Sequence, residues 1–246
     1  MRKPRYSICV TTYQAGKTIV KFFDSILSQI DDRFEIIVVD NLSSDGSEIF
    51  LKNLAERDKI RLISRKCSRG LGRQIAAESA FGEVLIQQID ADQVYGKFLE
   101  KAVEVFEVES SRDPEVLLFV KGKKRTHVFE REPAAATLVY KDIFLSKTRW
   151  PDINYGEDVY VYEPFIREGH VRYLFVDEYA YQLKGGVVSR LINSVANYQQ
   201  FFMSGFSLAF VTRCTRYSGF LFYARAFIVH LTFLHFLIKK SYRKFL

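Results

Sequence analysis

Gly82-Glu83-Val84-Leu85-Ile86-Gln87-Gln88-Ile89-Asp90-Ala91-Asp92 is a mainly apolar strand that ends on two carboxylates one residue apart. A strand apolar on both of its alternating faces is buried on both sides, as in a parallel sheet covered by helices. Residues 34–39 (Phe-Glu-Ile-Ile-Val-Val) read the same way and close on Asp40-Asn41 and a polar loop with Asp45-Gly46. Residues 7–12 form a short β-rich run. Helical spacing of Ile19, Phe22, Phe23, Ile26, Leu27 and Ile30 fills the gap between these strands. Further helices are expected at 47–57 and 72–80, the latter ended by Gly82, with a strand at 60–64 between them. Beyond Asp92 the pattern gives a helix at 98–108, a strand at 116–120, a charged segment of unassigned form at 121–132, a helix at 158–168 and a strand at 171–176. The alternation predicts an α/β fold built on a mostly parallel sheet flanked by helices.

The 246 residues are 48% hydrophobic and 26% charged, which excludes a disordered or collagen-like chain. The net charge of +7 is unevenly spread. Residues 1–178 sum to −2, whereas 179–246 carry nine basic side chains and no acidic one. Glu178, the last acid, is therefore taken as the boundary between a body (1–178) and a basic tail (179–246). Cys9, Cys67 and Cys214 form no Cys-x-x-Cys pair, which argues against a disulfide framework or structural zinc and suits a reducing compartment. The N-terminus lacks the apolar length and cleavage site of a signal peptide.

Two short motifs mislead. Gly16-Lys17-Thr18 imitates a phosphate-binding loop, but the position that needs the first glycine is Thr11. Gly70-Leu71-Gly72 imitates a dinucleotide fingerprint, but the third glycine is replaced by Ile75 and the unit does not follow the first strand. Asp90-Ala91-Asp92 is better placed, at the carboxyl end of a strand, where open α/β sheets bind ligands. Two such carboxylates can face one hard cation shared with phosphate oxygens and water. Alone, the pair reads better as a solvated acidic turn, and its context decides.

Five segments in order resemble the inverting, GT-A-type glycosyltransferases of family 2. They are Ser7-Ile8-Cys9-Val10-Thr11-Thr12-Tyr13-Gln14; residues 34–47, through Asp40-Asn41-Leu42-Ser43-Ser44-Asp45-Gly46; Arg69-Gly70-Leu71-Gly72-Arg73-Gln74-Ile75-Ala76-Ala77; residues 82–92; and Gly156-Glu157-Asp158. The resemblance implies a GT-A, Rossmann-like catalytic domain and an enzyme that takes a sugar from a nucleotide-diphosphate donor. Thr11, Thr12, Tyr13 and Asp40 would hold the nucleotide, with Asp40 accepting from the base. Arg73, and less so Arg69, would meet the diphosphate. Asp92 would bind Mg²⁺ or Mn²⁺, and Asp90 the ribose or a metal-bound water. Asp158 would be the general base, with Glu157 orienting it. The bland alternatives are a turn cap for Asp40, and more readily for Asp45, and helix-N-terminal acids for Glu157 and Asp158. Asn41 stands where the family usually has a second aspartate. Gln182, near Lys184, stands where many relatives have a histidine. His127 and His170 read as ordinary surface or core residues, and Trp150 as packing or part of an acceptor pocket.

From Tyr198 onward, 49 residues carry 14 of the 37 aromatics. Residues 219–238 are apolar but interrupted by Arg225, His230 and His235, which suits an interfacial helix on anionic lipid better than a spanning one. The alternative is a helix packed on the body or on a second subunit in a homo-oligomer. The expected acceptor is a glycan or lipid-linked glycan, and the expected location is the cytoplasmic face of a membrane, peripheral or tail-embedded. Nucleic acid is not expected, because the positive charge lies within an aromatic tail. The rival readings are a non-catalytic sugar-nucleotide-binding or membrane scaffold, and a sugar-nucleotide pyrophosphorylase, which would want a more glycine-rich first loop.

Overall fold

A computed structural model describes residues 3–123, 135–154 and 156–183, together with parts of 195–237. Its body is one sheet with helices on both faces. In chain order the elements are β1 (Tyr6–Thr12), α1 (Ile19–Leu27), β2 (Phe34–Asp40), α2 (Ser47–Glu56), β3 (Arg61–Ser64), α3 (Arg69–Ser79), β4 (Val84–Asp90) and β5 (Gln93–Tyr95). There follow α4 (Phe98–Arg112), β6 (Leu117–Lys123), β7 (Ala135–Tyr140), α5 (Lys141–Lys147), α6 (Glu157–Glu168) and β8 (Val171–Gln182). The strand order is β3-β2-β1-β4-β7-β6-β8-β5. Strands β3, β2, β1 and β4 are mutually parallel, as is the β6–β8 pair, while β7 runs antiparallel to both its neighbours. The mostly parallel sheet is as expected. Strands β5 and β7 and helix α5 are additions.

Alternation along each strand divides the core in two. Ile36 and Val38 of β2 join Ile8 and Val10 of β1 against α1 and α4, through Ile19, Phe22, Phe98, Ala102 and Phe106. Ile37 and Val39 point the other way and meet Ala76 and Ala77 of α3, Phe144 of α5, and Val161 and Phe165 of α6. Each buried aliphatic or aromatic side chain of this kind contributes about 1.5–3 kcal/mol of transfer free energy.

Strand β4 breaks the alternation. Ile86 and Ile89 both face the first core although they are three residues apart. The pairing explains why: Ile8 pairs with Ile86 but Val10 pairs with Ile89, so β4 holds one residue more than β1 over this interval. That β-bulge contains Gln88, whose φ is +61°.

The second face positions α3 and α6. Ser68 caps α3 by accepting from Leu71 N at 3.1 Å, a cap that contributes about 1 kcal/mol. The glycines of the false dinucleotide motif serve close packing. A Cβ on Gly70 would lie 2.0 Å from the Pro151 carbonyl oxygen, and one on Gly72 would lie 2.9 Å from Thr11 Cγ2. The Gly70 N–H donates to the Ile153 carbonyl at 3.0 Å, so the start of α3 is held against the segment that leads into α6. Helix α6 contains Pro164, which leaves the Tyr160 carbonyl without its helical donor. Thr148 Oγ1 donates to that carbonyl at 3.1 Å. Gly169, at φ +82°, ends the helix.

Strand β8 continues through Glu178 to Gln182, so the change in charge composition falls within a strand. Most of the tail, with His127, Lys184 and most of the charged segment at 121–132, lies outside the described residues. Residues 228–237 are helical, with Leu231, Leu234 and Leu237 exposed, while Phe233 and Phe236 pack on Phe202. Among the described residues no helix is long and apolar enough to cross a membrane.

Candidate active site

The register of the parallel strands lines up the predicted residues. Thr12 pairs with Asp40 and Thr11 with Asp90, so the ends of β1, β2 and β4 form one row at the carboxyl edge of the sheet. Tyr13 follows and is exposed. Thr12 is buried, and its Oγ1 has no hydrogen-bond partner among the described residues. Asp40 is buried as well, and both of its carboxylate oxygens receive hydrogen bonds from Ser43, Oδ2 from the backbone N–H at 2.9 Å and Oδ1 from the hydroxyl at 2.6 Å. Asp40 therefore caps its own turn, the role expected first of Asp45. Asp45 does the same, accepting from Gly16 N at 2.7 Å and from Ser47. Asn41 ties the loop down by accepting from Cys67 N at 2.9 Å.

Arg73 is the hub of the site. From the middle of α3 its Nη1 donates to Glu157 Oε1 at 3.1 Å and to Asp158 Oδ1 at 3.0 Å, and its Nη2 to Asp90 Oδ1 at 3.2 Å. Its guanidinium carbon also sits 4.8 Å from the centroid of the buried Trp150 ring. Trp150 is thus packing, held further by Gln74 and Gln87. Burial opposes the charge on Arg73, but the three carboxylates more than compensate and raise its pKa above the usual value. Arg73 was expected at a diphosphate. It is 4% exposed, and three of its five N–H groups engage carboxylates.

Glu157 and Asp158 occupy the first turn of α6, where the helix dipole favours acids. Glu157 is 2% exposed and also pairs with Arg69 at 3.4 Å. Burial and the neighbouring Asp158 push its carboxyl above the usual range, against the pull of Arg73 and Arg69. Asp158 is more open, with its side chain 29% exposed. A second donor reaches it from the bulge: Gln88 Nε2 to Asp158 Oδ1 at 2.8 Å. Thr137 Oγ1 donates to Gln88 Oε1 at 2.5 Å and lies 3.3 Å from the Tyr162 hydroxyl. Burial, then Asp158, keep that phenol protonated by raising its pKa.

Asp90 and Asp92 flank Ala91 at the end of β4, both half-buried. Their hard oxygen donors suit a divalent cation that keeps water or phosphate in its remaining positions. The one group of three clustered metal-type ligands among the described residues is elsewhere: Glu115, Glu168 and His170. There Lys147 Nζ bonds Glu168 and sits 3.0 Å from Glu115, and His170 bridges Asp113 and Glu115. That cluster already contains a cation, Lys147. Gln182 pairs through its backbone with Gln93, and its side chain lies outside the described residues.

Parallel strands carrying polar residues at their carboxyl ends, with an acid pair on a facing helix, agree with a family match. The model described as glycosyl transferase family 2 matches residues 7–149. The chain belongs to this family. EpsE of Bacillus subtilis (strain 168), a glycosyltransferase by name, is 30% identical over 108 residues, which cover 42% of this chain and 39% of EpsE. An uncharacterized glycosyltransferase of Nostoc sp. is 32% identical over 108 residues, covering 42% of this chain and 33% of its own length. The match thus spans well under half of either relative. Among solved structures, a Pyrobaculum calidifontis mannosyltransferase in complex with GDP-Man and Mn²⁺ superposes with a TM-score of 0.65 at 18% identity, covering 94% of this chain and 74% of that one. Glucosyl-3-phosphoglycerate synthase of Mycobacterium tuberculosis, in complex with Mn²⁺, UDP and its product, gives 0.61 at 16% identity, covering 83% and 81%. This family-2 chain has the GT-A-type fold of those structures.

Proposed function

We propose that this family-2 chain transfers a sugar from a nucleotide-diphosphate donor to a hydroxyl acceptor, with inversion at the anomeric carbon. One observation carries the reading. The Thr11–Tyr13 and Asp40 row and the Asp90/Asp92 pair lie at one edge of the sheet, and Arg73 joins Asp90 to the Asp158 carboxylate there.

In this reading the nucleoside lies along Thr11, Thr12, Tyr13 and Asp40, and the diphosphate beside Asp90 and Asp92. Mg²⁺ or Mn²⁺ held by Asp92 and Asp90 supplies charge neutralisation to the departing nucleoside diphosphate. Asp158 accepts the proton of the acceptor hydroxyl as its oxygen forms the new bond to C1. The C1–O bond to the β-phosphate breaks on the opposite face, and its electron pair leaves with the diphosphate. Arg73 holds the metal-side and base-side carboxylates at fixed spacing, which is the positioning that a bimolecular displacement needs. Glu157 completes that clamp from a buried position. The acceptor is a glycan or lipid-linked glycan, and the basic, aromatic tail holds the enzyme to an anionic cytoplasmic membrane surface. The exposed Leu231, Leu234 and Leu237, spaced along one helix, support that placement.

A panel of UDP- and GDP-sugars with Mn²⁺ tests the reading through release of nucleoside diphosphate. Release from one member, lost on chelation and in Asp92→Asn, is the expected result. Equal release with and without chelator would contradict the metal role, and no release from any donor would contradict the activity. In the same preparations, the protein is expected to float with anionic vesicles but not with neutral ones. Failure to float removes the membrane assignment alone.

A further inference from the structure

Gln87-Gln88 places two amides inside an otherwise apolar strand. Gln87 Oε1 accepts the Trp150 indole N–H, while its buried Nε2 has no hydrogen-bond partner among the described residues. Gln88 is held in the left-handed backbone region, at φ +61°, in the one bulge that separates β4 from the register of β1. Non-glycine residues seldom occupy that region, and bulges beside ligand sites re-aim side chains. Here the re-aimed amide meets Asp158 at 2.8 Å. Its orientation is fixed by chemistry, since an ionised carboxylate only accepts and the NH₂ group must face it. The amide oxygen is then held from behind by the Thr137 hydroxyl at 2.5 Å.

Arg73 Nη1 reaches the same oxygen, Asp158 Oδ1, at 3.0 Å. Oδ1 therefore carries two donors, while Oδ2 receives none among the described residues. We propose that Gln88, braced by Thr137, is a positioning residue that pins Oδ1 of Asp158 together with Arg73 and so presents Oδ2 to the acceptor hydroxyl. The inference rests on the reading of Asp158 as the base. The chain Thr137–Gln88–Asp158 crosses from β7 through the bulge of β4 to the first turn of α6, three separately folded elements. A fixed carboxylate plane of this kind acts on turnover rather than on donor affinity.

The test uses the full chain with Mn²⁺ and the sugar nucleotide that it turns over, chosen from UDP-glucose, UDP-N-acetylglucosamine and GDP-mannose. Gln88→Met keeps the length of the side chain and removes both hydrogen bonds. Thr137→Val removes the brace, and Thr137→Ser keeps it. The expected result is a fall in kcat of about 10-fold for Gln88→Met and for Thr137→Val, part of the range open to a general base, with donor KM held within about twofold. Thr137→Ser recovers the wild-type kcat, and the Gln88→Met/Thr137→Val double variant is no slower than Gln88→Met, because both changes cut one relay. Wild-type kcat in Gln88→Met, a loss confined to donor KM, or losses that multiply in the double variant would each overturn the proposal. If Gln88→Met does not fold, Thr137→Val and Thr137→Ser decide the matter. An inactive Asp158→Asn beside an unaffected Gln88→Met sinks this inference alone, whereas a fully active Asp158→Asn sinks the base assignment with it.

Discussion

Asp158→Asn lowers sugar transfer by about 10²–10⁴-fold while leaving the fold and donor affinity in place. The substitution keeps the shape of the side chain. Arg73 Nη1 and Gln88 Nε2 both donate to Oδ1, so the Asn carbonyl oxygen takes that position and the NH₂ group takes the place of Oδ2. A group that donates cannot take the proton of an attacking hydroxyl. Little stability is at stake, since Asp158 is partly exposed and Arg73 keeps Glu157 and Asp90. Stopped assays of nucleoside diphosphate release, alongside calorimetric binding of the donor, separate the two effects. Weakened donor binding with unchanged turnover would return Asp158 to the role of a helix-N-terminal acid.

Arg73→Met gives the largest expected loss of stability. Three carboxylates converge on one buried guanidinium, at 3.0, 3.1 and 3.2 Å. Removing one partner of a buried ion pair leaves an uncompensated charge, at a cost of about 3–5 kcal/mol. For a domain of this size that lowers Tm by about 10 °C. Glu157 bears most of the effect, because it is buried beside Asp158 and its remaining ion pair among the described residues is the 3.4 Å one to Arg69. Its carboxyl is already pushed up by burial, and loss of Arg73 pushes it further. A carboxyl raised in the folded state binds more protons folded than unfolded, so stability falls as pH rises through that window. The Tm deficit of Arg73→Met is therefore smaller at pH 5 than at pH 8, and thermal scans at the two values check it. A deficit that is independent of pH would place the loss in packing against Trp150 instead.

These two residues also mark how far the sequence could be read. Asp90-Ala91-Asp92 and Glu157-Asp158 stand out because carboxylates at a strand end and a helix start are local signals. The alternation of helix and strand periods likewise exposed the sheet up to β4. The partners of Arg73 lie 17, 84 and 85 positions away, and nothing local says that its charge turns inward to them rather than outward to a diphosphate. Asp40 was harder still, since a turn-capping carboxylate and a base-binding one look the same in sequence. Strand β7 begins on Ala135-Ala136 after a charged segment, with no period-2 pattern to announce it. The bulge did leave a trace. Gln87-Gln88 interrupts the apolar run of β4, and paired amides inside a buried strand need partners that only tertiary structure supplies.

The proposed function places donor and metal together at the carboxyl edge of β1, β2 and β4. Anomalous diffraction from crystals grown with Mn²⁺ and a nucleoside diphosphate tests it most directly. A manganese peak between the Asp92 carboxylate and the diphosphate, with the nucleoside along Thr11–Tyr13, is the expected result. Manganese bound instead among Glu115, Glu168 and His170, or a nucleotide seated away from β1 and β2, would contradict it.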